Sequence, residues 1–139
     1  YPRVSLAVLV VAVACSLPFR QNSVSKILAH HILGHIPSSS ILCFMDEVFR
    51  VLQPGGTVSV TVFAKGDMRD GSGVEVEPSA YLRGDGILTR YYSHEDLLQL
   101  GGRFHPSGIE YSEWVLPIRG KQYLRREITG QFVKPAEIF

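Results

Sequence analysis

The sequence of 139 residues lacks the features that mark several large classes of protein. Fourteen Lys and Arg face thirteen Asp and Glu, so the net charge is only +1 and there is no strong electrostatic signal for nucleic-acid binding. Only 19% of the residues are charged while 45% are hydrophobic, which excludes a disordered chain. The length suits one compact domain and is too small for two. We therefore expect a single domain over residues 1–139.

Cysteine and metal-binding patterns are also scarce. Cys15 and Cys43 are the two cysteines, and they form neither a zinc motif nor a dense disulfide framework, which is typical of a cytoplasmic protein. His31 and His35 have the spacing of two zinc ligands on one helix face. Ile32 stands where the glutamate of that motif would be, and no third ligand is evident. The sequence therefore predicts no metal site.

The longest apolar segment, residues 4–17, is only about 14 residues long, whereas a membrane-spanning helix needs about 20. Its Val- and Leu-rich composition, without a helical stripe, favours a strand buried on both faces. The order of Arg3, an apolar run and Ala14 also imitates a secretory signal, with a lipid-modified Cys15 as a further alternative. We favour the buried strand and expect no membrane contact.

The next part of the chain has the pattern strand, helix, turn, strand. Residues 24–29 predict a short buried strand, and apolar residues at spacings of three and four from Ile41 predict an amphipathic helix capped by a serine of residues 38–40. Residues 54–56, Pro-Gly-Gly, would end this helix. The Val- and Thr-rich residues 57–63 predict a second strand. Such a unit indicates an α/β fold with parallel strands.

The second half of the chain alternates glycine-rich and periodic segments. Residues 65–85 have no sustained period and predict a long loop. Ser93 is a candidate N-cap of a short helix in which Asp96 can accept from backbone N–H groups. Residues 109–116 and 123–133 predict two strands joined by the Arg119-Gly120-Lys121 turn, which makes an antiparallel hairpin.

Three segments resemble the class I methyltransferases that use S-adenosylmethionine (SAM). Residues 15–19 (CSLPF) look like the segment after the family's third strand, and residues 27–36 (ILAHHILGHI) look like its fourth strand and turn. Residues 47–63 (EVFRVLQPGGTVSVTVF) are similar to its helix, Pro-Gly-Gly turn and fifth strand. The resemblance covers roughly residues 13–134. It implies a partial Rossmann-like sheet in which the family's fourth, fifth, seventh and sixth strands are neighbours, with a C-terminal antiparallel hairpin.

The resemblance also implies a function and a set of site residues. SAM is the expected cofactor, and the expected reaction is methyl transfer to a nucleophile, which we expect to be a small molecule. By position in the family sheet, the residues expected beside the cofactor are Ala14, Cys15, Ala29, His30 and His31. His30 and His35 are candidate general bases, because methyl transfer often needs only positioning and deprotonation of the nucleophile. Arginine binds anions and tyrosine stacks, so the candidate substrate contacts are Tyr81, Arg83, Arg90 and Tyr91.

A cluster of cations surrounds the predicted hairpin turn, and its members are Arg119, Lys121, Arg125 and Arg126. It offers contacts to RNA phosphates as one alternative. Side chains alternate between the two faces of a strand, so we favour a solvated edge and consider a nucleic-acid partner unlikely.

The family's glycine-rich loop and ribose-binding acid do not occur in this sequence. Gly71-Ser72-Gly73 and Gly84-Asp85-Gly86 do not replace the loop, because neither lies between a predicted strand and helix. The first residue is Tyr1, so we expect an N-terminally truncated enzyme in which residues 6–13 pair with the open edge of the fourth strand. The alternative is a non-catalytic methyltransferase-like module that docks a protein partner through that edge.

Overall fold

The computed structural model describes residues 15–136. Its elements are β1 (Val24–His30), α1 (Ser38–Val51), β2 (Leu52–Phe63), β3 (Val74–Glu77), β4 (Ala80–Leu82), β5 (Leu88–Arg90), α2 (His94–Gly101), β6 (His105–Ile118) and β7 (Lys121–Val133). One sheet has four strands in the order β1-β2-β7-β6, and a second, smaller sheet has the order β3-β4-β5. The predicted α/β class is confirmed, and so is the neighbour order of the four strands.

The register of the main sheet places the carboxyl ends of β1 and β2 side by side. The two strands are parallel, with Ala29 opposite Val60 and His30 opposite Thr61. Strand β7 runs antiparallel to β2, with Phe63 opposite Glu127. Among residues 15–136, β1 is the edge strand of this sheet. The predicted pairing of residues 6–13 with that edge lies outside the described residues.

Helix α1 crosses from β1 to β2, as predicted, but both of its ends differ from the prediction. Pro37 occupies the N-cap position, and its side chain has no group that can hydrogen bond; Ser38 is the first residue of the helix, and its hydroxyl donates to Glu77 at 2.7 Å. The helix ends at Val51 and β2 begins at once, so the Pro-Gly-Gly turn lies inside the strand, with Gly55 at a φ of +82°. No helix within residues 15–136 has the length and apolar content needed to cross a membrane.

The hydrophobic core lies between one face of the main sheet and the two helices. Val58, Val60 and Val62 point into it from alternate positions of β2, as strand geometry requires. Val48 of α1 and Leu97 of α2 are also fully buried. Strand β1 was predicted to be buried, yet Ala29 is its one buried residue and Leu28 is 67% exposed. The edge position of β1 among the described residues explains this difference.

The prediction of a long loop over residues 65–85 is wrong, because this region contributes β3 and β4 to the small sheet. Each of these strands has only three or four residues, which is too short for a recognisable alternation of polar and apolar side chains. The small sheet is held against the turn after β1, because the Arg90 N–H donates to the Gly34 carbonyl at 2.8 Å. The hairpin of β6 and β7 forms as predicted, although its strands extend to the Arg119-Gly120 turn.

The predicted cap of α2 is present as a reciprocal pair of hydrogen bonds. The Ser93 hydroxyl accepts from the Asp96 N–H at 3.1 Å, and the Asp96 carboxylate accepts from the Ser93 N–H at 2.9 Å. Partial burial of Asp96 acts to raise the pKa of its carboxyl group, but the hydrogen bond from Ser93 and the Lys65 ammonium at 3.1 Å hold that pKa below its usual value.

Replacing Ser93 by alanine is expected to lower the free energy of unfolding by about 1 kcal/mol, because the cap no longer accepts the Asp96 N–H. Urea unfolding followed by circular dichroism measures this change. Ser112→Ala, at an exposed position of β6, is the matched control and should leave the midpoint unchanged. Equal midpoints for the Ser93 and Ser112 variants would show that the cap does not stabilise the domain.

Candidate active site

Two histidines and a glutamate meet at the carboxyl end of β1. His30 is the last residue of the strand and is exposed, and His31 follows it at a φ of +55°. The His31 N–H donates to the Thr61 carbonyl at 2.8 Å, and the His31 Nε2 atom is hydrogen bonded to the Glu127 carboxylate. A left-handed backbone at a residue other than glycine costs about 1–3 kcal/mol and persists only where the surrounding contacts impose it.

Glu127 was missed by the sequence analysis because it lies 96 residues from His31 in the chain. Pairing of β2 with β7 places Glu127 opposite Phe63, and the Phe63 ring packs on the His31 ring with centroids 4.4 Å apart. The side chains of His31 and Glu127 are 19% and 18% exposed. The pair is therefore positioned from both sides yet still open to solvent.

The turn after β1 places His35 beside the small sheet. The His35 Nδ1–H donates to the Leu88 carbonyl at 2.8 Å, and the Tyr92 hydroxyl donates to the Leu33 carbonyl at the same distance. A carbonyl only accepts, so this hydrogen bond selects the tautomer in which Nδ1 carries the proton of a neutral ring. The His35 Nε2 atom is then the one that can accept a proton from a substrate.

Two of the four predicted substrate contacts line a common cavity of about 520 Å³. Arg90 and Tyr91 form part of its wall, together with Ser38 at the start of α1 and with Lys65 and Asp96, which pair with each other. The Arg90 guanidinium is hydrogen bonded to the Glu77 carboxylate, so its charge is compensated. This cavity is connected to the turn that carries His35 through Arg90, whose N–H donates to the Gly34 carbonyl at 2.8 Å.

The other two predicted contacts lie outside this wall. The Tyr81 ring is 6.2 Å from the Tyr91 ring, and Arg83 pairs with Asp85 at 3.3 Å. The structure thus places Tyr81 near Tyr91, and it pairs Arg83 with Asp85 while keeping the Arg83 charge close enough to act on the pKa of Tyr91. Burial raises the pKa of Tyr81 above its usual value, with Glu75 and Asp70 adding to the rise.

Tyr91 and Tyr92 are buried beside the cavity, with exposed fractions of 3% and 4%. Burial raises the pKa of each phenol to about 12. An unfolded tyrosine ionises near pH 10, so the stability that the two neutral phenols contribute is complete below about pH 10 and is lost as the pH rises toward 12.

Replacing Tyr91 by phenylalanine is expected to reduce the loss of stability between about pH 10 and pH 12, because one of the two shifted phenols is removed. Urea midpoints at a series of alkaline pH values measure the slope. Tyr123→Phe is the matched control, because Tyr123 lies on β7 of the hairpin, outside the buried pair. Identical slopes for wild type and Tyr91→Phe would contradict the assignment.

The predicted cofactor contacts differ in how they are placed. Ala29 is 1% exposed and packs in the core, so only its backbone can face a ligand, whereas His30 and His31 lie at the open end of the strand. Cys15 is paired with Cys43 of α1 as a disulfide, with Cα atoms 5.2 Å apart. Ala14 lies outside the described residues. The sequence carried no signal for this cysteine pair.

The cations of the hairpin are partly engaged inside the protein. Arg125 pairs with the buried Asp67 at 3.0 Å, and Arg126 pairs with Glu113 at 2.7 Å. Arg119 and Lys121 are exposed at the turn. Asp67 also accepts from the Arg126 N–H at 2.8 Å, so it fixes β7 against the loop after β2. Sequence inspection missed Asp67 because its partners are 58 and 59 residues away.

Comparison with known proteins connects this arrangement to methyltransferases. A sequence family described as "Methyltransferase domain" matches residues 1–60. The tRNA N(3)-methylcytidine methyltransferase Mettl2 of Drosophila melanogaster is 26% identical over 129 residues, which are 86% of this chain and 39% of that protein. The chain therefore spans about two fifths of the curated relative that it matches.

Solved structures share the fold. A SAM-dependent methyltransferase from Methanosarcina mazei superposes with a TM-score of 0.71 at 21% identity, over 91% of this chain and 66% of the other. The 1,6-didemethyltoxoflavin-N1-methyltransferase of Burkholderia thailandensis, solved with S-adenosylhomocysteine, gives a TM-score of 0.65 at 19% identity, over 91% of this chain and 50% of the other. The Rossmann-like methyltransferase fold expected from the sequence is confirmed.

Proposed function

We propose, from the fold and from the similarity of this chain to class I SAM-dependent methyltransferases, that the protein takes part in methyl transfer from SAM to a nucleophilic acceptor. The observation that carries the proposal is the position of His30 and His31 at the carboxyl end of β1. The strand order β1-β2-β7-β6 corresponds to the order of the fourth, fifth, seventh and sixth strands of the family. Ligands of open α/β sheets bind at this edge. The reaction needs in-line positioning of the acceptor and removal of its proton.

The residues at this edge fit the polar amino-acid part of SAM. His30 is exposed, and the His31 Nδ1 atom is buried without a hydrogen-bond partner among residues 15–136. A polar ligand there would satisfy this nitrogen. We assign Ala29, through its backbone, and His30 and His31 to the cofactor side, with Cys15 and Ala14 at the family's adenine position. When bound, SAM supplies the electrophilic methyl group.

His35 is the general base that the geometry favours. Its Nδ1–H is held by the Leu88 carbonyl, so Nε2 is free to accept the proton of the acceptor as the methyl group arrives. The cavity that has Arg90 and Tyr91 in its wall would hold the acceptor, and Arg90 is hydrogen bonded to Gly34, the residue before His35. His30, the other base considered from the sequence, lies at the end of β1 and is better placed beside the cofactor.

Two classes of acceptor are supported by different observations. The similarity to Mettl2 covers 86% of this chain and favours a tRNA base, which the small net charge of the sequence did not suggest. The exposed Arg119 and Lys121 are free to contact phosphates. The 520 Å³ cavity and the likeness to the toxoflavin enzyme favour a small molecule. We propose tRNA as the first acceptor to test.

Isothermal titration of the purified chain with SAM, followed by transfer of radiolabelled methyl groups, tests the proposal. We expect SAM binding, and labelling of unmodified tRNA transcripts in preference to small nitrogen heterocycles. Arg90→Ala should reduce transfer, whereas Arg20→Ala, at an exposed position before β1, is the matched control. Labelling of the small heterocycles alone would make the acceptor a small molecule.

Absence of SAM binding would overturn the enzymatic proposal for this chain. The non-catalytic interaction module would then be the better interpretation, with the edge of β1 as its docking surface. Cytoplasmic location stays a prediction.

A further inference from the structure

His30, His31 and Glu127 form a cluster of three side chains that each carry an atom able to bind a metal ion. One ligand atom from each of the three side chains lies within 4.8 Å of the others. The sequence analysis predicted no metal site because a third ligand was missing beside the histidines. Glu127 supplies that ligand from β7, 96 residues away from His31.

The three side chains have the chemistry and orientation of a transition-metal site. The two imidazole rings are in edge contact, with centroids 4.6 Å apart and an interplanar angle of 82°, and one ligand atom of each lies within 4.8 Å of the other. Zinc is bound by imidazole nitrogen at 2.0–2.1 Å and by carboxylate oxygen at about 2.0–2.2 Å, which places neighbouring ligand atoms about 3–3.5 Å apart. Because His30 is exposed at the end of β1, its side chain has room to rotate toward this spacing when an ion binds.

The immediate surroundings hold the cluster in place. The His31 N–H is fixed by the Thr61 carbonyl at 2.8 Å, and the Phe63 ring packs against the His31 ring. The two neighbouring arginines do not neutralise Glu127, because Arg125 pairs with Asp67 and Arg126 pairs with Glu113. The His31 Nε2 atom faces Glu127, so Nε2 is the ring nitrogen that can share an ion with this carboxylate.

We propose that His30, His31 and Glu127 bind one divalent transition-metal ion, with zinc as the best-fitting ion. Two histidines and one glutamate are the ligand set of zinc sites that keep a fourth position open for water or a substrate atom. The site shares His30 and His31 with the proposed cofactor contacts, so zinc and the polar part of SAM would compete for this edge; zinc binding is therefore tested without SAM. If the metal is present, His30 is a ligand, which leaves His35 as the base.

Titration of the metal-free chain with zinc chloride, and with cobalt chloride as a visible probe, tests the proposal. We expect one ion per chain and a tetrahedral cobalt spectrum. His30→Ala and Glu127→Gln should each weaken zinc binding at least about tenfold. His94→Ala removes an exposed histidine of α2 and should bind zinc like wild type.

The variants distinguish loss of a zinc ligand from loss of stability and from zinc binding at the cysteines. Glu127→Gln keeps a side chain that can hydrogen bond to His31, and His30 is exposed, so neither change should alter the urea midpoint of the metal-free chain. Unchanged zinc affinity in both variants would overturn the proposal, as would failure of the wild-type chain to bind zinc. Zinc binding that is lost only in Cys43→Ser would assign the metal to the cysteines and would also overturn it.

Discussion

Replacement of His35 by alanine is expected to lower the rate of methyl transfer by about 100- to 10,000-fold, the usual contribution of a general base. The reason is that the His35 Nε2 atom is the acceptor left available once Nδ1–H is bound to the Leu88 carbonyl. SAM affinity should not change, because the cofactor is assigned to His30 and His31. Single-turnover transfer and isothermal titration separate the two quantities.

His35→Asn distinguishes a base from a positioning residue. The asparagine amide can donate to the Leu88 carbonyl as the imidazole does, but it cannot take up a proton. We expect the asparagine variant to be as slow as the alanine variant. His94→Ala, at an exposed position, should retain the wild-type rate. Wild-type transfer in His35→Asn would show that His35 acts only as a positioning residue, through its hydrogen bond to the Leu88 carbonyl.

Lys134→Met is expected to lower the free energy of unfolding by about 2–4 kcal/mol, because hydrogen bonds from a buried charged group are lost. Lys134 is 7% exposed, and its Nζ atom donates to the Phe49 and Leu52 carbonyls at 2.7 Å and 2.9 Å. These carbonyls lie at the carboxyl end of α1, where a positive charge is favourable. A third hydrogen bond, at 2.9 Å, reaches Asn22 before β1.

The matched control is Lys26→Met, which makes the same change at an exposed position of β1. Urea unfolding at neutral pH should leave the midpoint of this variant near that of wild type. A Lys134 variant that is no less stable than the Lys26 variant would show that the buried ammonium contributes nothing beyond the cost of its desolvation.

The local elements of the fold could be predicted because their signals lie within a few residues. The serine and aspartate of the α2 cap are three positions apart, and the β6–β7 hairpin closes over the short Arg119-Gly120 turn. The Val-rich pattern of β2 and the helical spacing of α1 are also local. The predicted serine cap of α1 is wrong because the helix begins at Ser38, which leaves Pro37 at the N-cap position.

The small sheet escaped prediction for a related reason. Its strands have three or four residues and are held by contacts with the turn after β1, such as the hydrogen bond from Arg90 to Gly34. A segment this short is a strand because of its neighbours and not because of its own propensity. The same contacts place Arg90 and Tyr91 in the cavity wall while Arg83 turns to Asp85.

The amino-acid sequence by itself determined the α/β class, the parallel β1–α1–β2 unit and the resemblance that points to SAM, since these depend on periodicity and on motifs of neighbouring residues. Tertiary structure alone decided that Glu127 meets His31, that Lys134 closes the end of α1 and that Cys15 lies against Cys43. Each of these contacts joins residues that are far apart in the chain. Strand register and helix packing, which no local pattern encodes, bring them together.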